Sequence, residues 1–296
     1  RHCDPHDISV RRCCRSNRNG VRPAEPMLAP DLLVCYLYFY VGYKPSPRAH
    51  LPMTPIELVL LTLVALITSM LSAVVGFGGG VLLLAALASV LDPLTAILVQ
   101  GAIQLAGNST RAHAHRRSTD WSVVARLTVL VIPGSVIGLI VARDLEAATI
   151  RALMGGFVLL VTWWPAATAG LARTVGTPTL LTAGAVSGLG NVTVGATGPL
   201  LAPFFRAATT DRLAFVGTFA AAQTLGHAVK LVTLSAGGAA TLDAHVPLVT
   251  TGIVAVVVGT RLGTRILRHV SEHRFGQIQR VALTALGLRL VTVAVL

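Results

Sequence analysis

Apolar residues dominate the chain from residue 56 to its end, in long runs separated by short polar or turn-rich stretches. Most runs approach the roughly 20 residues that an α-helix needs to cross the apolar core of a bilayer. A membrane β-barrel would instead show segments of alternating polarity about ten residues long. The pattern therefore predicts an all-α polytopic membrane protein. The ten predicted segments cover roughly residues 56–75, 79–91, 94–110, 121–142, 150–172, 178–194, 198–205, 213–233, 246–267 and 275–293.

An internal repeat groups these segments. When the chain is shifted by 119 residues, residues 75–111 align with residues 194–230 without a gap, and ten of the 37 positions are identical. We therefore predict two homologous repeats of five segments each, at residues 53–174 and 175–296. The identical pairs include Gly76 with Gly195, Gly79 with Gly198, Asp92 with Asp211, and Gln104 with Gln223.

The charges of the loops bear on how the repeats are oriented. Because five is an odd number, the repeats are inverted relative to each other if every segment crosses the membrane. Residues 111–118 hold three arginines and residues 261–274 hold four. These loops share one side only if all ten segments cross, and the positive-inside rule makes that side cytoplasmic, with both termini outside. If the second and seventh segments were re-entrant, the two loops would lie on opposite sides.

The stretch SAVVGFGGGVLLL at residues 72–84 holds four glycines in five positions. A dinucleotide-binding G-x-G-x-x-G is excluded because Val81 replaces the third glycine and the flanks are long apolar runs. The aligned stretch GATGP contains Pro199, which breaks helices. We therefore predict broken helices at both glycine-rich stretches. Elsewhere, the G-x-x-x-G spacing of Gly134/Gly138 and of Gly259/Gly263 predicts close helix packing.

A helix that begins inside a bilayer leaves N–H groups and the positive end of its dipole without partners. These groups are tolerated where they line a cavity or contact a ligand. Broken helices at matching places in two repeats indicate the substrate site of a transporter, and helix N-termini suit an anion. The candidate anion-binding glycines are Gly76, Gly78, Gly79, Gly80, Gly195 and Gly198.

Polar residues share one face of the third segment and recur in the eighth. Gln104 and Asn108 align with Gln223 and His227. Polar side chains in membrane helices are costly and usually face the bundle interior. We predict that these four residues lie beside the breaks and bind the substrate. Hydrogen bonds that only hold helices together are the alternative.

Three basic residues near these positions need separate explanations. Lys230 is the only lysine after residue 52, and we predict that it attracts or holds an anion. Its aligned partner Arg111 borders the basic loop and is assigned to that loop. His227 could relay a proton because histidine titrates near neutral pH; a purely structural histidine is the alternative.

Asp92 and Asp211 are predicted to be helix N-caps.

Composition supports the membrane assignment. The chain is 53% hydrophobic and 12% charged, with a mean hydropathy of +0.72. Its net charge of +12 does not indicate nucleic-acid binding, because most basic residues of the membrane part lie between apolar runs. Residues 1–52 contain all four cysteines and many prolines, and Met53 immediately precedes the first long apolar run. We expect residues 1–52 to be a non-native or disordered extension.

Four stretches of the membrane part resemble the sulfite exporter TauE/SafE family. They are MLSAVVGFGGGVLLLAAL, LVQGAIQLAGNSTR, GAVSGLGNVTVGATGPLLAPFF and VVVGTRLGTRIL, in the order of the family's recurring blocks, and the resemblance covers residues 53–296. It implies a two-repeat protein of the inner membrane that moves sulfite, sulfonates or related organic acids. It also implies that the glycine breaks form the centre of the pathway, with Gln104, Asn108, Gln223 and His227 beside it.

The favoured function is therefore secondary transport of a small anion, with H⁺ or Na⁺ as the candidate coupling ion and a homo-oligomer left open. A passive anion channel is the nearer alternative. An intramembrane enzyme is disfavoured, because no Ser/His or Asp/Asp pair stands at a telling spacing. We expect neither a catalytic residue nor a metal site nor a cofactor.

Overall fold

The computed structural model describes residues 53–75, 78–164, 175–266 and 272–295. The predicted extension at residues 1–52 lies outside these ranges, as does Gly76. The described residues form helices and no strand. A 3₁₀ turn at Asp243–His245 precedes the tenth of eleven α-helices described. They are α1 Pro55–Val75, α2 Gly79–Ala88, α3 Pro93–Ala114, α4 Trp121–Thr128, α5 Val131–Asp144, α6 Ala147–Trp163, α7 Thr177–Thr193, α8 Gly198–Ala208, α9 Arg212–Ala236, α10 Val246–Ile266 and α11 Glu272–Val295.

Each predicted segment corresponds to a helix, and the fourth corresponds to two. The predicted segment at residues 121–142 is interrupted at residues 129–130, between α4 and α5. Pro133 lies in the first turn of α5, where it cannot donate a hydrogen bond to the preceding turn. One apolar run therefore contains two helices, which together are long enough to span a membrane.

The predicted N-caps are confirmed. The Asp92 carboxylate accepts a hydrogen bond from the Leu94 N–H at 3.3 Å at the start of α3. The Asp211 carboxylate accepts from the N–H groups of Leu213 at 2.8 Å and Ala214 at 2.9 Å at the start of α9. Each carboxylate satisfies an N–H that a first helical turn leaves without a backbone partner.

Long apolar helices make this an integral membrane protein. Among the described residues, three helical stretches are long and apolar enough to cross a bilayer: Pro55–Ala73, Trp121–Asp144 and Asp243–Gly263. Large apolar side chains such as Val59 on α1 and Ile137 on α5 are exposed, as lipid-facing side chains are.

The short helices α2 and α8 lie at the two glycine-rich stretches. They have 10 and 11 residues, so each is about 15 Å long and covers about half of the roughly 30 Å apolar core of a bilayer. Nearly all side chains of α2 are apolar, as in a helix that faces lipid, but eight of its ten residues are buried. Other helices of the protein, rather than lipid, therefore surround α2.

The helices pack in pairs that join the two halves of the chain. α1 packs against α10, α5 against α7, α3 against α9, and α6 against α11. Glycines permit the close approach. A methyl group at Gly138 of α5 would lie 2.7 Å from the Leu189 carbonyl oxygen of α7, and one at Gly263 of α10 would lie 2.5 Å from the Met70 carbonyl oxygen of α1. The predicted packing role of these glycine pairs agrees with these contacts.

We predict that Gly138→Ala lowers the temperature of thermal unfolding in detergent. The added methyl group meets a backbone oxygen that cannot rotate away, and overpacking of this kind costs about 1–3 kcal/mol. Gly156→Ala on α6 is the matched control, because no heavy atom lies within 4 Å of the new methyl group. It should leave the unfolding temperature unchanged or raise it, since alanine favours the helix. Equal effects of the two substitutions would contradict the packing role.

Candidate functional site

The first helix break separates α1 from α2. Gly78 has φ = 99°, a backbone conformation that favours glycine. Ser72 of α1 bridges the break, because its Oγ accepts a hydrogen bond from the Gly79 N–H at 3.0 Å. A side chain at Gly79 would collide with Ser72 and with the Thr68 carbonyl oxygen. The glycines therefore let α2 begin directly beside the last turn of α1.

The second break separates α7 from α8. Gly195 has φ = 88°, and a methyl group there would lie 2.7 Å from side-chain carbons of both Ile97 and Leu84. The Thr197 hydroxyl lies 2.9 Å from the Ser187 hydroxyl and donates to the Asn191 Oδ1 at 3.4 Å. Polar residues of α7 thus fix the chain just before α8, as Ser72 does at the first break.

A cavity of about 40 Å³ lies between the two breaks. One water molecule needs roughly 10–15 Å³, so the space can hold more than a single water. Its walls come from both halves of the chain, and the described residues that line it include no aspartate or glutamate. The lining residues are Ser72, Gly78, Gly80, Val81, Gln100, Gln104, Asn108, Arg111, Ala196, Gly198, Pro199, Phe219, Gln223 and His227.

Most predicted site residues meet at this cavity. Gly79 and Gly195 are buried in the breaks without lining it, and Lys230 lies behind its wall. Gly76 lies outside the described residues. The predicted residues that do line the cavity are Gly78, Gly80, Gly198, Gln104, Asn108, Gln223 and His227.

Arg111 lines the cavity, although the sequence assigned it to the cytoplasmic loop. It is 8% exposed, and its guanidinium donates to the Asn108 Oδ1 at 2.6 Å and to the Ser72 carbonyl oxygen at 3.2 Å. Its alignment with Lys230, and its place on the same helical face as Asn108, were the signals that could have identified it. The cavity thus contains one permanent positive charge in its wall.

Gln100 was also missed by the sequence analysis. It precedes Gln104 by one helical turn, a spacing that places the two on one face of α3. Its Nε2 donates to the Gly80 carbonyl oxygen at 3.3 Å. A methyl group at Gly80 would lie 3.0 Å from the Gln104 Nε2. The first turn of α2 therefore rests on two glutamines of α3.

On α9, two polar atoms of cavity-lining side chains have no hydrogen-bond partner among the described residues. They are the Gln223 Nε2 and the His227 Nδ1, whose side chains are 6% and 4% exposed. An unsatisfied buried polar group costs about 1–3 kcal/mol, so such groups usually meet a water molecule or a ligand. The second half of the chain therefore offers hydrogen-bonding capacity to an occupant of the cavity.

Lys230 is fully buried and does not line the cavity. Its ammonium donates to the Gln100 Oε1 at 2.6 Å and to the Gly195 carbonyl oxygen at 2.9 Å. Its predicted contact with an anion remains a prediction.

Comparison with known proteins connects this site to a family. The model of the family described as sulfite exporter TauE/SafE matches residues 61–290, which include both breaks and every residue that lines the cavity. Comparisons with curated proteins and with solved structures give no significant match. The match covers most of the chain and confirms the resemblance seen in its sequence blocks. The chain therefore belongs to the sulfite exporter TauE/SafE family, a family of membrane transporters.

Proposed function

We propose that the chain is a secondary transporter of small anions, with sulfite, sulfonates or related organic acids as its substrates, and that the cavity between the breaks is its binding site. The observation that carries this proposal is the chemistry of the wall. Among the residues that the structure describes there, it combines the Arg111 guanidinium with three glutamines and one asparagine, without a carboxylate. A guanidinium and amide N–H groups are donors that bind oxyanions.

The helix ends add to this preference for an anion. α2 and α8 begin at Gly78–Gly80 and at Gly198, which border the cavity. The N-terminus of a helix carries a partial positive charge and unpaired N–H groups. In a wall with little water, these dipoles act more strongly than they would at a protein surface.

We also infer that residues 53–174 and 175–296 are inverted repeats in the cytoplasmic (inner) membrane, with the two basic loops inside and both termini outside. The reciprocal packing of the helices supports this. The first helix of each half packs against the fourth segment of the other half, and the third and fifth helices each pack against their own counterparts. A two-fold relation between the halves produces such an exchange.

Counterflow in proteoliposomes tests the transport mode. Vesicles loaded with sulfite and diluted into a trace of labelled methanesulfonate should accumulate the label transiently above its outside concentration. A passive channel dissipates the gradient without this overshoot. If neither a sulfur oxyanion nor a carboxylate moves under any imposed gradient, the proposed function is wrong.

Gln223→Leu should weaken anion binding without destabilising the empty protein. The Gln223 Nε2 has no partner among the described residues, so its loss breaks no hydrogen bond there. Removing a hydrogen bond to an anion costs about 1.5–3 kcal/mol, which corresponds to tenfold or more in affinity. The measurement is the rise in unfolding temperature of purified protein over a sulfite titration.

Thr224→Val is the control for this substitution. Thr224 follows Gln223 on α9, is partly buried, and its hydroxyl donates to the Ala220 carbonyl oxygen of its own helix at 2.8 Å. It should keep the response of the wild type to sulfite. An unchanged response of Gln223→Leu as well would place the anion elsewhere.

We propose that the coupling ion is a proton carried with the anion by His227. Among the described lining side chains, histidine is the one whose ordinary pKa lies closest to neutral pH, and a bound anion beside it would favour its protonated form. Two charged side chains lie near His227: Arg111 faces the same cavity from α3, and Lys230 lies one turn further along α9. The helices α2 and α7 contain no titratable side chain.

An acid-outside pH gradient should therefore drive uptake of methanesulfonate, which stays ionised over the pH range used. His227→Asn should abolish this accumulation and retain exchange, because asparagine occupies the aligned position 108 of the other half. His245→Asn is the matched control, since His245 is also buried, with an Nδ1 that has no partner among the described residues, but does not line the cavity. Full proton-driven accumulation by His227→Asn would exclude this role.

A further inference from the structure

Lys230 connects the second break to the other half of the chain. Its ammonium donates to the Gly195 carbonyl oxygen at 2.9 Å and, across the interface between α9 and α3, to the Gln100 Oε1 at 2.6 Å. Both bonds are buried and charge-assisted, which makes them stronger than bonds between neutral groups.

Gln100 continues this connection to the first break. While its Oε1 accepts from Lys230, its Nε2 donates to the Gly80 carbonyl oxygen at 3.3 Å. Three hydrogen bonds thus join a peptide group at the second break to the first turn of α2. We call the four residues joined in this way, Gly195, Lys230, Gln100 and Gly80, the relay.

Direct packing accompanies the relay. The Gly195 backbone lies so close to Leu84 of α2 and Ile97 of α3 that a methyl group would be 2.7 Å from each side chain. If the second break shifts, its backbone therefore pushes against α2 and α3 at the same time. The hydrogen bonds of the relay hold Gly195, α2 and α3 in the positions at which these contacts are made.

The first half uses its own cation differently. Arg111 donates to the Ser72 carbonyl oxygen in the last turn of α1, much as Lys230 donates to the Gly195 carbonyl oxygen just after α7. A cation favours the negative end of a helix in both places. Arg111 also donates to Asn108 of its own helix, whereas Lys230 reaches into the other half.

We propose that Lys230 is a positioning residue that couples the movements of the two breaks, a proposal that rests on the transport function proposed above. Lys230 does not line the cavity, so it acts through Gln100 and through the Gly195 peptide group. Loss of the relay should slow the step in which the cavity changes sides and leave anion affinity unchanged.

Two substitutions break the relay by different routes. Lys230→Met removes the ammonium and keeps an unbranched apolar stem. Gly101→Ala keeps every residue of the relay and of the cavity wall, but its methyl group would lie 2.8 Å from the Lys230 Cε, so the lysine must move. Gly107→Ala on the same helix is the control, because its methyl group makes an ordinary 3.5 Å contact with Val256.

Exchange kinetics give the first test. Lys230→Met and Gly101→Ala should lower the maximal rate of sulfite exchange about tenfold, the effect of losing one charge-assisted hydrogen bond in the rate-limiting state. The dissociation constant for sulfite, measured by thermal shift, should stay at the wild-type value. A parallel loss of affinity would overturn the proposal, since Lys230 would then belong to the binding site. Wild-type behaviour of both variants would also overturn it.

A double-mutant cycle shows whether Lys230 acts through Gln100. The double variant with Lys230→Met and Gln100→Met should lose less exchange rate than the product of the two single losses. Either substitution alone already interrupts the same relay. Fully multiplicative losses would show that the two residues act independently and would exclude the relay.

Amide hydrogen exchange in lipid nanodiscs tests the coupling without a substrate. In Lys230→Met, peptides covering residues 194–201 and residues 78–84 should both exchange faster, although the lysine touches only the second break directly. Faster exchange confined to residues 194–201 would overturn the proposal. If the wild type neither binds nor moves an anion while both peptides respond, the transport function is wrong and the coupling of the breaks is retained.

Discussion

Backbone polar groups at a helix end need partners, and a bilayer core supplies none. In this protein, α1 and α7 end beside half-length helices, and each end is stabilised from within the chain. At the first break, the Ser72 Oγ accepts a hydrogen bond from the Gly79 N–H at the start of α2. At the second break, the Thr197 hydroxyl, just before α8, hydrogen-bonds with the Ser187 hydroxyl of α7. A buried cation of the third helix in the same half donates to a carbonyl oxygen at each preceding helix end. The rest of the site follows from this requirement.

The same requirement explains why hydrogen-bonding capacity remains where it does. The helix ends, Ser72 and Arg111 largely satisfy one another, yet two nitrogens of α9 beside the cavity have no partner in the part of the chain that the structure describes. A protein interior rarely keeps such atoms without a reason. The cavity between the two breaks thus combines a buried guanidinium with polar atoms that an occupant can satisfy.

The sequence predicted the helices well because membrane helices are long and apolar and their limits are set by caps and loops. The first predicted segment, residues 56–75, and α1 at Pro55–Val75 differ by one residue. The break between α4 and α5 was missed, because hydropathy alone does not register the missing N–H of Pro133. Gly78 and Gly198 were identified as break residues, because clustered glycines, joined in the second stretch by Pro199, interrupt an otherwise apolar run.

The side-chain roles were less accessible to the sequence. Arg111 was assigned to the loop by its charge and position, but helical side chains lean toward the N-terminus, and this one reaches back to Asn108 and Ser72. The contact between Lys230 and Gln100 joins residues 130 positions apart. It depends on how α9 docks on α3, which no local period encodes.

The two halves of the chain carry different side chains at several aligned positions that line the cavity. At the aligned positions, Gln100 corresponds to Phe219 and Asn108 to His227, and all four line the cavity. Phe219 packs edge-on against Phe205 at 5.4 Å and stacks with Phe215 at 5.7 Å, so the second half presents an aromatic wall where the first presents an amide. In a pair of inverted repeats, the inward-open and outward-open states arise when the halves exchange conformations. If the halves are inverted repeats, as proposed above, their different side chains at aligned positions give the two states different free energies even without a gradient. An imposed ion or anion gradient would then act on an equilibrium that already favours one of the two states.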